Sequence, residues 1–217
     1  MKFTFPLKTH SGLEVRLHQT YGNKSNSAWY KANGINAPFH SGIDISLSGT
    51  EQQSYGSELI CPFESATVVK TTFDTPLSTK GNGVTIQSGQ FVDNGITKML
   101  QVVFWHASEL NVTLGQRLSY GDTVCFMGNS GLVRPAPTIS APYSGTHCHL
   151  MVFEYRLYQG NWLLQNEGNG VHGAADPLLY FDINNTLSGK DTSEQKDTAP
   201  LIWVIEKLQA LIAMFRK

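Results

Sequence analysis

Apolar and polar positions along this chain alternate in short runs, each bounded by Gly, Asn, Ser or Pro. The runs over residues 14–18, 43–47, 66–73, 83–87, 99–106, 123–127, 147–155 and 161–165 are rich in β-branched and aromatic residues and read as strands. Tyr21-Gly22-Asn23-Lys24-Ser25, Lys80-Gly81-Asn82-Gly83 and Gly128-Asn129-Ser130-Gly131 supply turns between them. Helical periodicity is almost absent before residue 200, and no internal repeat is visible. Strands this short and closely spaced predict a mainly β fold, an antiparallel sheet or sandwich rather than a parallel α/β architecture.

Towards the C-terminus the pattern changes twice. Residues 184–199 are polar, and Pro200 then precedes an apolar segment. On a helical wheel Leu201, Val204, Ile205, Leu208, Leu211, Ile212 and Phe215 form one stripe, with Glu206 and Lys217 opposite. The expected organisation is a β domain over 1–183, a polar linker over 184–200 and a C-terminal amphipathic helix over 201–217. At ~1.5 Å per residue that helix reaches about 25 Å, short of the ~30 Å hydrocarbon core. Packing back on the β domain, self-association or contact with a membrane surface therefore suits it better than a span.

Composition narrows the options. With 217 residues, 41% hydrophobic and 15% charged, the chain has enough apolar material for a sizeable core and too little charge for disorder. Sixteen Lys and Arg against seventeen Asp and Glu leave a net charge of −1. The basic surplus that neutralises phosphates is missing, so nucleic acid is not an expected partner. Cys61, Cys125 and Cys148 form no CxxC pair and read as small buried hydrophobes. Pro6, Lys8 and His10 break any apolar stretch near the start, so a Sec signal peptide is not expected.

Histidines carry the candidate chemistry. His147-Cys148-His149 opens a strand, where alternation puts both imidazoles on one face and Cys148 on the other. Upstream, Phe39-His40-Ser41-Gly42-Ile43-Asp44-Ile45 holds a His and a carboxylate four positions apart. Gly42 is expected to let the backbone pass close to whatever those two side chains hold, while Ile43 and Ile45 anchor the segment in the core. His106 ends the apolar run Val102-Val103-Phe104-Trp105. Taken singly each element is weak, since such histidines are often surface pairs or satisfied core residues.

Their order is more specific. The His-x-Gly-x-Asp spacing at 40–44 is followed by Gly81-Asn82-Gly83-Val84-Thr85-Ile86, His106-Ala107-Ser108, Gly121-Asp122-Thr123-Val124, Gly128-Asn129-Ser130-Gly131, Thr146-His147-Cys148-His149 and Asp176-Pro177-Leu178. This set resembles the M23 family of zinc metallopeptidases, the lysostaphin- or LytM-type peptidoglycan endopeptidases, over about residues 30 to 181. The resemblance implies a LytM-like fold of the duplicated hybrid motif type. It implies Zn²⁺ on His40, Asp44 and His149, with His106 and His147 as unliganded catalytic histidines. It also implies bacterial peptidoglycan as the partner, cut in its peptide stems or cross-bridges. Two imidazoles and one carboxylate leave a fourth position open for water, whose pKa the metal lowers towards ~7. The two unliganded histidines can then move protons and stabilise the oxyanion, a role left open between them by the absence of a His-Glu-x-x-His helix. A wall substrate without a signal peptide points to a phage lysin, a virion-associated peptidase or export by another route. A catalytically idle wall-binding or activator module and a structural virion component are the competing readings.

The chain departs from the family pattern at 132–143, an insertion with Pro135, Pro137 and Pro142 that reads either as an ordered loop overhanging the site or as a tolerated surface insertion. Trp29, Tyr30 and Phe39 lie close enough to His40 in sequence to wall one end of a groove. Gly81 and Gly83 read as a tight turn, and Asp176-Pro177-Leu178 as the element that closes the fold. His10, His18 and His172 match no motif position and read as ordinary surface or core histidines.

Overall fold

The computed structural model of the chain describes residues 2–188 apart from 11, 76 and 77. The helix expected over 201–217, with Trp203, lies outside the described residues. Each of the eight sequence runs forms a strand, its ends displaced by at most a few residues: β1 (Val15–Gln19), β2 (Ile43–Leu47), β4 (Ala66–Thr72), β5 (Asn82–Ser88), β6 (Ile96–Ala107), β7 (Thr123–Phe126), β8 (Cys148–Tyr158) and β9 (Asn161–Leu164). A further short strand, β3 (Glu58–Ile60), and two short helices, α1 (Ser27–Ala32) and α2 (Glu51–Ser54), gave no periodic signal because none spans two helical turns or more than three strand positions. α2 nevertheless has a legible start: Thr50 and Gln53 form a reciprocal capping box.

The main sheet is antiparallel and runs β4-β5-β6-β8-β2-β1, extended beside β4 by Arg117–Leu118 and beside β8 by β9. A second, three-stranded sheet places β7 between Glu109–Leu110 and β3. Both sheets feed one core. Ile43, Ile45 and Leu47 from β2, Val84 and Ile86 from β5, Leu100, Val102 and Phe104 from β6, and Cys148, Leu150 and Val152 from β8 pack there with Leu59, Val124 and Cys125. All three cysteines are buried and free, as small hydrophobes.

Because the side-chain period of a strand is two, the odd-numbered partners on β6 and β8 turn to the other face. Val103, Met151 and Ala174 form a smaller apolar cluster there, flanked by Trp105, Phe39 and Tyr21. This second face carries the candidate site. The two chain ends are held against each other: Phe3–Thr4 pairs in parallel with Phe181–Asp182, and Lys8–Thr9 with Leu187–Ser188. Residues 184–188, the first of the stretch read as a linker, thus lie on this body. Asp176 closes the turn before them by accepting from the Leu178 N–H at 3.0 Å, at the start of a 3₁₀ turn over Pro177–Leu179. Among the described residues no helix is long and apolar enough to cross a membrane.

Candidate metal centre

Strand register assembles most of the site. His149 on β8 sits opposite Asp44 on β2 and opposite Trp105 on β6, so three side chains form a row on the second face. One position along, Cys148 pairs with Ile45 and points into the core, the alternation expected of His147-Cys148-His149. The Trp105 ring stacks on His149, centroids 5.1 Å apart at 15°, and Lys80 Nζ lies 4.8 Å over the same indole. His149 is therefore held from both sides, by a carboxylate in one direction and an aromatic plane in the other.

His40 reaches the row from the loop before β2. Its backbone is tied to the turn after β1: its N–H donates to Asn23 O at 2.9 Å and its carbonyl accepts from Gly22 N at 2.9 Å. Gly42 makes this approach feasible: a Cβ there would lie 2.2 Å from Leu150 O, so the glycine lets the segment press onto the β8 backbone.

Three donor atoms converge here. His40 Nε2, His149 Nδ1 and Asp44 Oδ1 are separated by 2.9 Å, 3.0 Å and 2.9 Å around the triangle. The spacing is slightly tighter than the roughly 3.3 Å between ligands ~2.0–2.1 Å from one tetrahedral ion. His40 Nδ1 lies 3.1 Å from Thr20 O, and only an N–H can bond a carbonyl, so Nδ1 carries the proton of that bond and Nε2 is the ring atom aimed at the triangle. Asp44 is an ionised acceptor: burial pushes its carboxyl pKa up, but close contact with the His149 and His40 rings and the nearby His147 holds it well below the ordinary value. His149 is lowered by burial, against the pull of Asp44, and stays neutral. Two ring nitrogens and a carboxylate facing one another are the donor set that suits a divalent cation of zinc type. These are the three residues among those described whose donor atoms group closely enough to hold a metal ion.

Two further histidines adjoin the triangle without joining it. His147 Nδ1 donates to Gly145 O at 2.7 Å, which turns Nε2 towards Asp44 Oδ1, 3.8 Å away. By strict alternation His106 would follow Phe104 into the core. Instead its backbone takes φ 65°, the left-handed region, and its ring stands 4.7 Å from that of His147 and 6.3 Å from that of His149. His106 Nδ1 donates to Ser130 O at 2.9 Å, and burial with the neighbouring His147 and His149 pushes its pKa down to about 3. His106 is thus a neutral imidazole with Nε2 open. Both tautomers are set by backbone carbonyls.

The glycine- and asparagine-rich turns hold these carbonyls in place. Ser130 Oγ donates to Ala107 O at 2.7 Å and accepts from Asn82 N at 2.9 Å, while a Cβ at Gly131 would fall 2.3 Å from Gly81 N. The turns at 81 and 131 can interlock only as glycines. Asn129 Nδ2 donates to Pro142 O at 2.8 Å and Ser144 O at 3.0 Å, which fastens the far end of the 132–143 loop.

A cleft of about 650 Å³ opens over the cluster. Trp29, Tyr30 and Phe39 wall it, as their closeness to His40 suggested, and so do Leu132, Val133, Arg134 and Pro135 from the inserted loop. Tyr30 lies parallel to His40, centroids 6.5 Å apart, and burial with the Asp44 charge pushes its pKa up to about 12. His18 and His172, read from sequence as ordinary histidines, both line this cleft. His18 Nε2 bonds Ser46 Oγ at 2.6 Å, and β1 brings it there by pairing with β2. Glu51, which no motif marked, lines it as well. A single sequence gives no signal for these residues, because cross-strand pairing and loop return put them there.

No family model matches the chain, and no curated protein sequence matches it. Solved structures similar to it include M23- and LytM-type peptidases. The catalytic domain of lysostaphin from Staphylococcus simulans is 16% identical, covering 76% of this chain and 90% of that one, with a TM-score of 0.47. The catalytic domain of the prophage-encoded M23 protein EnpA from Enterococcus faecalis, in a mutant form, is 17% identical over 80% and 95% of the two chains, with a TM-score of 0.44. A chain of the SpoIIQ-SpoIIIAH pore forming complex is 16% identical over 84% and 92%, with a TM-score of 0.48.

Proposed function

We propose that this protein is a zinc-dependent endopeptidase that hydrolyses peptide stems or cross-bridges of bacterial peptidoglycan, as the M23-like order of its motifs implies. The observation that supports the reading most is the convergence of His40 Nε2, Asp44 Oδ1 and His149 Nδ1 beside two open imidazoles. Held by those three atoms, zinc would polarise the scissile carbonyl and acidify a water. The remaining work falls to the chain. His147 Nε2 takes a proton from the attacking water and returns it to the leaving amine, and Asp44 at 3.8 Å offers a counter-charge while the imidazolium exists. His106, kept neutral by burial, accepts a hydrogen bond at Nε2 and orients that water. Trp105 and the Thr20 carbonyl keep the His149 and His40 rings aimed. The open cleft, apolar on the Trp29 and Phe39 side, admits an extended peptide.

Digestion of purified peptidoglycan tests the reading. Zinc-loaded protein should release fragments whose masses show cleaved amide bonds and new amino groups, a chelator should stop the release, and added zinc should restore it. Absence of fragments with zinc-loaded protein, or cleavage of glycan bonds alone, would contradict it.

A further inference from the structure

Glu51 lies outside the histidine cluster, yet its side chain is joined to it by two hydrogen bonds in series. Glu51 Oε1 accepts from the Gly145 N–H at 2.8 Å, and the Gly145 carbonyl accepts from His147 Nδ1 at 2.7 Å. We propose that Glu51 is a positioning residue that fixes the tautomer and aim of His147 through Gly145. The proposal rests on the peptidase reading for its effect on turnover, but not for its effect on the ring.

Each end of this link is anchored. Glu51 opens α2, whose Thr50–Gln53 capping box and Ser54 Oγ bond to Leu47 N, 3.1 Å, tie it to the end of β2, the strand that presents Asp44. On the other side, Gly145 adopts φ 72°, and a Cβ there would stand 2.3 Å from Pro135 O and 2.9 Å from Val133. The Gly145 segment is therefore caught between Glu51 and the inserted loop. Thr50 and Gln53 complete the cap of α2, so Glu51 is not needed for capping and adds only a first-turn acidic charge there. Without the Glu51 acceptor, the Gly145 N–H must turn to solvent, and the carbonyl that selects the Nδ1–H tautomer of His147 loses its reference point. An imidazole that rotates or exchanges tautomer no longer offers Nε2 as a base.

Full-length Glu51→Ala and Glu51→Gln proteins test this. Long-range ¹H–¹⁵N spectra of chelator-treated protein report the His147 tautomer directly. Wild type and Glu51→Gln, which keeps the acceptor oxygen, should show Nδ1–H, and Glu51→Ala should show a mixture with Nε2–H. On zinc-loaded protein digesting peptidoglycan, Glu51→Ala should lower kcat roughly 10-fold with little change in KM or zinc content, and Glu51→Gln should recover most of it. An unchanged His147 spectrum in Glu51→Ala would overturn the proposal, as would a Glu51→Gln protein impaired as much as Glu51→Ala. If no variant digests peptidoglycan, the proposed function fails, and the spectra still decide the role of Glu51.

Discussion

At one end of β8 the carboxylate of Glu154 is buried among Lys98, Arg156 and Tyr180; at the other, Asp44 faces His149, His40 and His147. Glu154 is 4% exposed, and its partners are cations and a hydroxyl, all donors: Tyr180 Oη at 2.8 Å, Lys98 Nζ at 3.4 Å and the Arg156 guanidinium. Every one of these contacts pairs a lone pair with a proton, and the cluster is complete within the chain. Asp44 instead meets imidazoles whose ring nitrogens converge on the same point as its own oxygen. Three polar atoms crowd one point there, a group that could hold a cation. A buried carboxylate among fixed donors builds a fold, and one among converging ring nitrogens offers a site.

Removing His147, the proposed base, should have the largest effect. His147→Ala should lower turnover on peptidoglycan roughly 100-fold or more while zinc content stays near one per chain, because its ring lies outside the donor triangle. Loss of zinc in that variant would merge the two roles that the geometry separates. At the closed end the pattern should invert. Glu154→Ala should cost about 1 kcal/mol of folding stability by removing the acceptor of Tyr180 Oη and of Arg156, while Lys98 keeps Asp93 at 2.9 Å, with zinc content and turnover unchanged. Chemical denaturation alongside the digestion assay reads both quantities.

Acid titration sharpens the contrast. Burial pushes the Glu154 carboxyl up, but bonds from Arg156 and Tyr180 and the Lys98 charge outweigh it and hold the pKa below the ordinary 4.5. The folded value being depressed, its stabilisation is present in full above that ordinary value and is lost as pH falls through the folded one. Below pH ~4.5 the stability gap between wild type and Glu154→Gln should therefore narrow. A gap that is constant down to unfolding would remove the ionic account of the closed end. The smallest change is expected of Cys148→Ser: the side chain sits between the two ends but on the core face, so zinc content should not move even if stability falls.

Much of this was legible in the sequence where local rules govern. Strand runs and the alternation in His147-Cys148-His149 follow from period, whereas Gly83, read as part of a tight turn, lies within β5, and Gly81 alone of that pair takes a positive φ. The ordered motifs named His40, Asp44 and His149, and the fold brings these three together. What escaped depends on register and return of the chain. The positive φ at His106 breaks the alternation that would have turned it into the core, the close approach of Gly42 to the β8 backbone depends on strand pairing, and Glu51, His18 and His172 reach the cleft by pairings that no single stretch encodes. α1 and α2 are too short to show a helical period.

The central claim is that the three converging acceptors form a metal centre, and metal content measured by mass spectrometry on protein dialysed against zinc tests it most directly. Wild type and His147→Ala should each hold one zinc per chain, and Asp44→Ala and His149→Ala should hold almost none. Equal zinc in wild type and Asp44→Ala, or none in wild type, would contradict it.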